Sequence, residues 1–333
     1  MGLRPSFVAC VALTVLAAGS PAARAQIQAM PPSGMESAAP LQMIPSGENA
    51  AALPPLGSAP LVPVPMEAAP PVFEPPAPEL AAPPGSSWAA AAGDWSCQVA
   101  PPNLLYPLYL AGREPRLAAV FDYRRHDGWI LDASLGARVG LLRYGTRDPV
   151  LPEGWQIDLE GVAYPRILLE QSLDLAAADY RFGVPFTWRR GGLEGKLGYY
   201  HISSHLGDEF MIRYPGVPRS EFSRENLVLG LALRPAEAWR FYGEAGWAFH
   251  NEGPAEQWEF QFGVDYSPLR PTGPLGSPFF AINARLMEET DYSGNLTVQT
   301  GWQWRGETGH LLRTGFHYFN GKSDQAQLLG RHE

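Results

Sequence analysis

The sequence predicts an all-β protein, an antiparallel transmembrane β-barrel of about 12 strands behind a signal peptide and a disordered Pro/Ala-rich segment. Three observations lead there. The first residues have the make-up of an export signal. No stretch is apolar for the ~20 residues that a spanning helix needs. From about residue 115 onward, long runs alternate large apolar and polar residues with period two.

Residues 1–25 read as a secretory signal. Arg4 gives the positive start, Phe7 to Ala18 the uncharged, mostly apolar stretch, and Ala23-Arg24-Ala25 an A-x-A cleavage site before Gln26. Cys10 lies inside the apolar run, where a lipoprotein cysteine would not be, and leaves with the signal. Only Cys97 then remains, and one cysteine builds neither an internal disulfide nor a metal cage. Residues 26–92 hold 16 prolines in 67 residues, much alanine and no Lys or Arg. With few aromatics and no apolar period, such a chain cannot offset the entropy of ordering itself. It reads as a disordered or polyproline-like periplasmic segment, used as a plain spacer or for contact with cell-wall material.

The barrel is expected over 93–333. Side chains alternate between the two faces of a strand, so period two means one apolar and one polar face. Trp258, Phe260, Phe262, Val264 and Tyr266 alternate with Glu259, Gln261, Gly263 and Asp265. Trp155, Ile157 and Leu159 alternate with Gln156, Asp158 and Glu160, and Leu296, Val298, Thr300, Trp302 and Trp304 with Thr297, Gln299, Gly301, Gln303 and Arg305. Soluble sandwiches alternate too, but their strands run about 5 to 6 residues. These runs reach roughly 10 or more, the length a tilted strand needs to cross a bilayer, and tryptophans gather near their ends.

Eleven strands can be counted, near 117–124, 129–143, 154–166, 175–188, 192–205, 224–234, 238–249, 256–266, 278–289, 294–305 and 310–319. Single-chain bacterial barrels usually have an even number. A twelfth strand is therefore expected from Lys322 to Glu333; it ends without the terminal aromatic common in such barrels, so either this strand is stunted or the chain is truncated. If the first strand leaves the periplasm, the long connection 206–223 falls outside the cell. Lumen-facing Asp132, Arg138, Asp158, Glu160, Arg240, Glu244, Asn283 and Arg285 carry both signs, suited either to pairing or to lining a pore.

Chemistry concentrates on the fifth strand, Leu197 to His205, followed by Leu206-Gly207-Asp208-Glu209. His201 and Ser203 share a face with Leu197 and Tyr199, so they would point toward lipid. A polar pair placed there is costly and usually has a reason. A serine nucleophile needs a base, and the base needs an orienting group. The apolar phase of Leu227, Leu229, Leu231 and Leu233, run backward, places Glu225 on the same face; a one-residue bulge would substitute Asn226. The other reading makes His201, Ser203 and His205 interfacial polar residues that satisfy each other or lipid headgroups. Zinc on His201 and His205 is disfavoured, because the ~13 Å that four strand residues span is too far for two metal bonds without a bend. Asp208 and Glu209 would suit calcium bound from a loop, or a solvated acidic turn.

Tyr200-His201-x-Ser203-Ser204-His205-x-Gly207-Asp208-Glu209, Ala178-Asp179-Tyr180-Arg181-Phe182-Gly183 and Asn320-Gly321-Lys322-Ser323 carry a resemblance. On these residues, segment 100–330 resembles an uncharacterised family of bacterial outer-membrane proteins, the domain of unknown function numbered 1207, which implies location more than activity. The His-x-Ser strand is also similar to that of outer-membrane phospholipase A, where an asparagine on the next strand completes the site, and to that of lipid A 3-O-deacylase, where a glutamate does. The likeness implies Ser203 as nucleophile, His201 as base and Glu225 (or Asn226) as orienting group; Ser204 and His205, beside them in sequence, are candidates for a supporting role. Ser204 departs from both families, which have Asn there, and the spacing to the third member is longer.

With 25 Lys+Arg against 34 Asp+Glu, and Arg4 and Arg24 lost with the signal, the mature chain carries 23 − 34 = −11. That argues against a nucleic-acid partner. Two functions stay open: a lipid-facing hydrolase of phospholipid or lipid A acyl esters in the outer membrane, and a non-enzymatic barrel acting as narrow channel, adhesin or structural anchor.

Overall fold

The computed structural model describes residues 12–14, 95–124 and 127–333. The 26–92 segment lies outside the described residues, as does the 1–25 stretch apart from residues 12–14. In chain order the strands are β1 (Ala12–Thr14), β2 (Ser96–Val99), β3 (Leu117–Arg124), β4 (Gly128–Gly145), β5 (Gly154–Leu168), β6 (Asp174–Arg190) and β7 (Leu193–Leu206). After the short helix α1 (Asp208–Arg213) come β8 (Phe222–Ala236), β9 (Trp239–Glu252), β10 (Trp258–Tyr266), β11 (Ser277–Met287), β12 (Asn295–Arg305) and β13 (Leu311–Asn320). β3 to β13 correspond one for one to the eleven alternating runs of the sequence.

Every pairing is antiparallel, and β3 apart, each strand from β4 to β13 bonds its sequence neighbours. The strand order is β2-β4-β3-β1-β13-β12-β11-β10-β9-β8-β7-β6-β5, with β4 also paired to β5. The strands thus follow one another round the sheet, but β3 and β13 do not bond each other. Only the three residues of β1 stand between them, Ala12 opposite Val120 on one side and Gly315 on the other. The expected twelfth strand at 322–333 is therefore corrected: the tail does not join the sheet. It folds back on itself through the Lys322–His332 bridge and the turn at Ala326–Leu328, burying Ser323, Gln325, Ala326 and Leu328.

The sequence alternation also overlooks β2. β2 and β3 both pair with β4, at Leu142–Gly145 and Gly128–Leu135 respectively, so they are two halves of one strand position. Between them the chain leaves the sheet at Ala100, whose N–H bonds the Leu141 carbonyl, and returns at Arg116, whose carbonyl accepts from Gly136. Prolines at 101, 102, 107 and 115 lack the N–H that a ladder needs, so this excursion cannot remain in register. It turns inward and buries Leu105, Tyr106, Tyr109 and Leu110. Tyr109 donates to Glu244 at 2.9 Å and stacks on Tyr242 at 3.8 Å. Burial pushes the pKa of both the Tyr106 and Tyr109 phenols up, which keeps them neutral.

The two faces are inverted relative to a soluble core. Leu227, Leu229, Leu231 and Leu233 on β8, and Phe182, Val184 and Phe186 on β6, are exposed, while charged residues are buried. Buried charges are costly unless paired or hydrogen-bonded, and many of those in the interior form ion pairs. Glu160 takes Arg138 at 2.7 Å and Arg181 at 2.6 Å; Arg285 meets Glu259 at 2.8 Å, Arg166 meets Asp132 at 2.7 Å, and Lys196 meets Glu244. Of the two uses open to these residues, pairing is the one adopted.

Candidate functional site

On β7, residues 197 to 205 alternate strictly: Leu197, Tyr199, His201, Ser203 and His205 face outward, while Gly198, Tyr200, Ile202 and Ser204 are buried. The β7–β8 register is unbroken and sets His201 opposite Glu225, Ser203 opposite Ser223 and Tyr200 opposite Asn226. A shift does occur here, but on the other side of β8. Glu225 pairs with His250 and Asn226 with Ala248, which leaves Phe249 as the extra residue on β9. The bulge therefore does not exchange the two candidates: Glu225 faces out beside His201, and Asn226 faces in.

His201 Nδ1 lies 2.8 Å from Glu225 Oε1, and the Tyr199 hydroxyl donates to Glu225 Oε2 at 2.5 Å. Both carboxylate oxygens are thus engaged from one face of β7, with His201 and Glu225 37% and 24% exposed. The carboxylate requires the proton on Nδ1, so Nε2 is left as the basic nitrogen. Ser203 stands two residues further along the same face, and neither its hydroxyl nor His201 Nε2 has a hydrogen-bond partner among the described residues. Two strand residues span about 6.6–7 Å between Cα atoms, and catalytic hydrogen bonds are often open before substrate binds. Alternation within single strands does not reveal Tyr199 as a partner, since its contact with Glu225 is diagonal across two strands.

The remaining sequence candidates have other surroundings. Ser204 donates inward to Asp179, which also takes Arg113 at 2.6 Å and the Ala326 N–H at 3.3 Å. Ser204 is thus an interior tie between wall and tail and cannot support the outward-facing pair. Asn226 is fully buried, and neither atom of its amide has a hydrogen-bond partner. His205 faces outward, its ring 6.0 Å from that of Tyr180. Asp208 and Glu209 form the exposed first turn of α1, where carboxylates favour the helix N-terminus. No group of three His, Cys, Asp or Glu able to hold a metal occurs among the described residues.

A family model described as a protein of unknown function (DUF1207) matches residues 132–332. No curated protein and no solved structure matches the chain. The matched span contains His201, Ser203 and Glu225 and most of the interior ion pairs.

Proposed function

The chain belongs to DUF1207, a family of proteins of unknown function; its activity has to be read from its own side chains, and we propose that it is an integral outer-membrane barrel bearing a lipid-facing Ser203/His201/Glu225 esterase. The observation that carries this reading is the His201–Glu225 pair at 2.8 Å on an apolar outer face, with Ser203 two residues along. The inverted faces favour a bilayer as the surrounding medium, because exposed leucine and phenylalanine ladders would be unfavourable in water. An export signal cleaved before Gln26 and a periplasmic 26–92 segment, available for cell-wall contact, complete the proposed location.

In the proposed reaction the Ser203 hydroxyl attacks an acyl-ester carbonyl while His201 Nε2 takes its proton. The Oγ–C bond forms, the ester C–O bond breaks, and the imidazolium returns the proton to the leaving alcohol. Water then releases the fatty acid by the same route. Glu225 fixes the tautomer and stabilises the imidazolium, and Tyr199 orients Glu225. Phospholipid and lipid A acyl esters are the substrate classes that such a position reaches.

The test is ester hydrolysis by refolded protein on phospholipid and on lipid A, compared with Ser203→Ala. Turnover is expected to fall about 10³-fold or more; equal hydrolysis by both proteins would reject the nucleophile. The second reading, a non-enzymatic structural barrel, draws on the unbonded Ser203 hydroxyl. The filled interior speaks against an open channel.

A further inference from the structure

At the end of the interior remote from His201 lies a cavity of about 210 Å³ that holds more positive than negative charge. It is lined by seven arginines, Arg116, Arg138, Arg189, Arg234, Arg240, Arg305 and Arg313, with Asp265 the one carboxylate in its wall. Arg189, Arg234 and Arg240 all converge on one further carboxylate, Glu194, at 2.6, 2.5 and 2.8 Å. Arg305 bonds only neutral acceptors: the Pro268 and Gly309 carbonyls and the Ser267 hydroxyl. Arg313 likewise bonds the Gln299 side chain and the Leu110 carbonyl. Arg138 is answered by Glu114 and Glu160, whereas Arg116 bonds only backbone carbonyls; the six arginines other than Arg138, against Glu194 and Asp265, leave 6 − 2 = +4 around this space.

Such an excess is costly in a buried place unless something answers it. Arg240 states the need most clearly. It is 1% exposed, and both its Nη atoms lack a hydrogen-bond partner, as does Nε of Arg189. Its guanidinium lies over the Tyr106 and Tyr109 rings, 4.6 and 5.1 Å from their centroids. Stacking engages the face of the guanidinium, whereas its Nη–H donors lie in the plane and make no hydrogen bond, Nη1 standing 3.8 Å from Asp265.

We propose that this cavity binds a phosphate group. Five of the cations come from β6, β8, β9, β12 and β13 and so approach from several directions, which suits a tetrahedral dianion better than a planar carboxylate. The volume lies below the ~300 Å³ at which drug-sized ligand sites begin, so it holds inorganic phosphate or the phosphate of a larger headgroup. The site is independent of the esterase: from His201 to Glu194 the strand runs seven residues, roughly 23 Å.

The test is thermal unfolding of the full-length refolded protein in detergent, titrated with inorganic phosphate or glycerol 3-phosphate against chloride at matched ionic strength. Saturable stabilisation by phosphate beyond chloride is expected. In Arg305→Gln/Arg313→Gln the apparent affinity should weaken at least tenfold. Tenfold tighter binding of glycerol 3-phosphate would identify a headgroup as the source, and equal binding free phosphate. No saturable shift over chloride in the wild type overturns the proposal, whether or not the double variant folds. An equal shift in a folded double variant overturns it as well.

Discussion

Glu225 is the residue on which the site turns, because its two oxygens serve different neighbours. One holds the His201 ring and the other accepts from Tyr199 at 2.5 Å. Tyr199 touches no reacting atom and acts by positioning. Tyr199→Phe should lower kcat about five- to tenfold, the size of one half-exposed hydrogen bond to a charged group. KM and the unfolding midpoint should stay unchanged, since the ring remains; a matched rise in KM, or no change in kcat, would remove Tyr199 from the machinery. The outward side of this cluster was legible in the sequence because alternation is a parity rule, and one apolar ladder from Leu227 to Leu233 assigns Glu225 its face. Ser204 lies on the other face for the same reason. Adjacency in sequence suggested a supporting role, yet the residue after an outward one must point inward, and there it meets Asp179.

Among elements, the eleven long strands were readable because each alone satisfies a period, whereas the inward excursion 100–116, β2 and the tail follow none. β2 is four residues beside a proline-rich break, and the tail is held by partners far off in sequence. The phosphate cavity was equally hidden, since five of its arginines come from the ends of five strands and acquire meaning only together. The tail is fastened by Glu333, which meets Arg124 and Arg166, while Arg331 meets Asp127 at 3.2 Å. Burial opposes the Glu333 charge, but Arg166 and then Arg124 more than offset it, so its carboxyl is held below the usual range. A depressed carboxylate pKa contributes stability that is complete above the unfolded value of about 4.3 and is lost as pH falls through the folded one. Amide exchange in 321–333, corrected for intrinsic rate, should therefore quicken below about pH 4. Glu333→Gln should already show fast exchange at neutral pH; tail exchange independent of both pH and this substitution would refute the clasp.

At the scale of the whole molecule, the wall has its apolar residues outside and its charges inside, with the 100–116 excursion at one mouth and the 321–333 tail at the other. β2 and β3 occupy one position, so the route from Ser96 to Asn320 makes eleven passes. A chain cut before Gln26 loses β1, and β3 and β13, which run in the same direction, become the edges of the seam. An odd number of crossings makes the polypeptide a thread drawn through the wall rather than a loop hung from one side. Cys97, free and exposed, lies opposite Tyr144 at one rim. The tail lies beside the 127 and 166 region at the other. If the 207–221 connection lies outside the cell, as the proposed outer-membrane topology has it, a thiol reagent too polar to cross the membrane should leave Cys97 unlabelled in intact cells. It should label Cys97→Ser/Gly330→Cys, whose new thiol replaces an exposed glycine. Labelling of both sites, or of Cys97 alone, would contradict this passage. In the proposed outer-membrane setting, a protein threaded in this way would have one end to hold on the inner side and another to present on the outer.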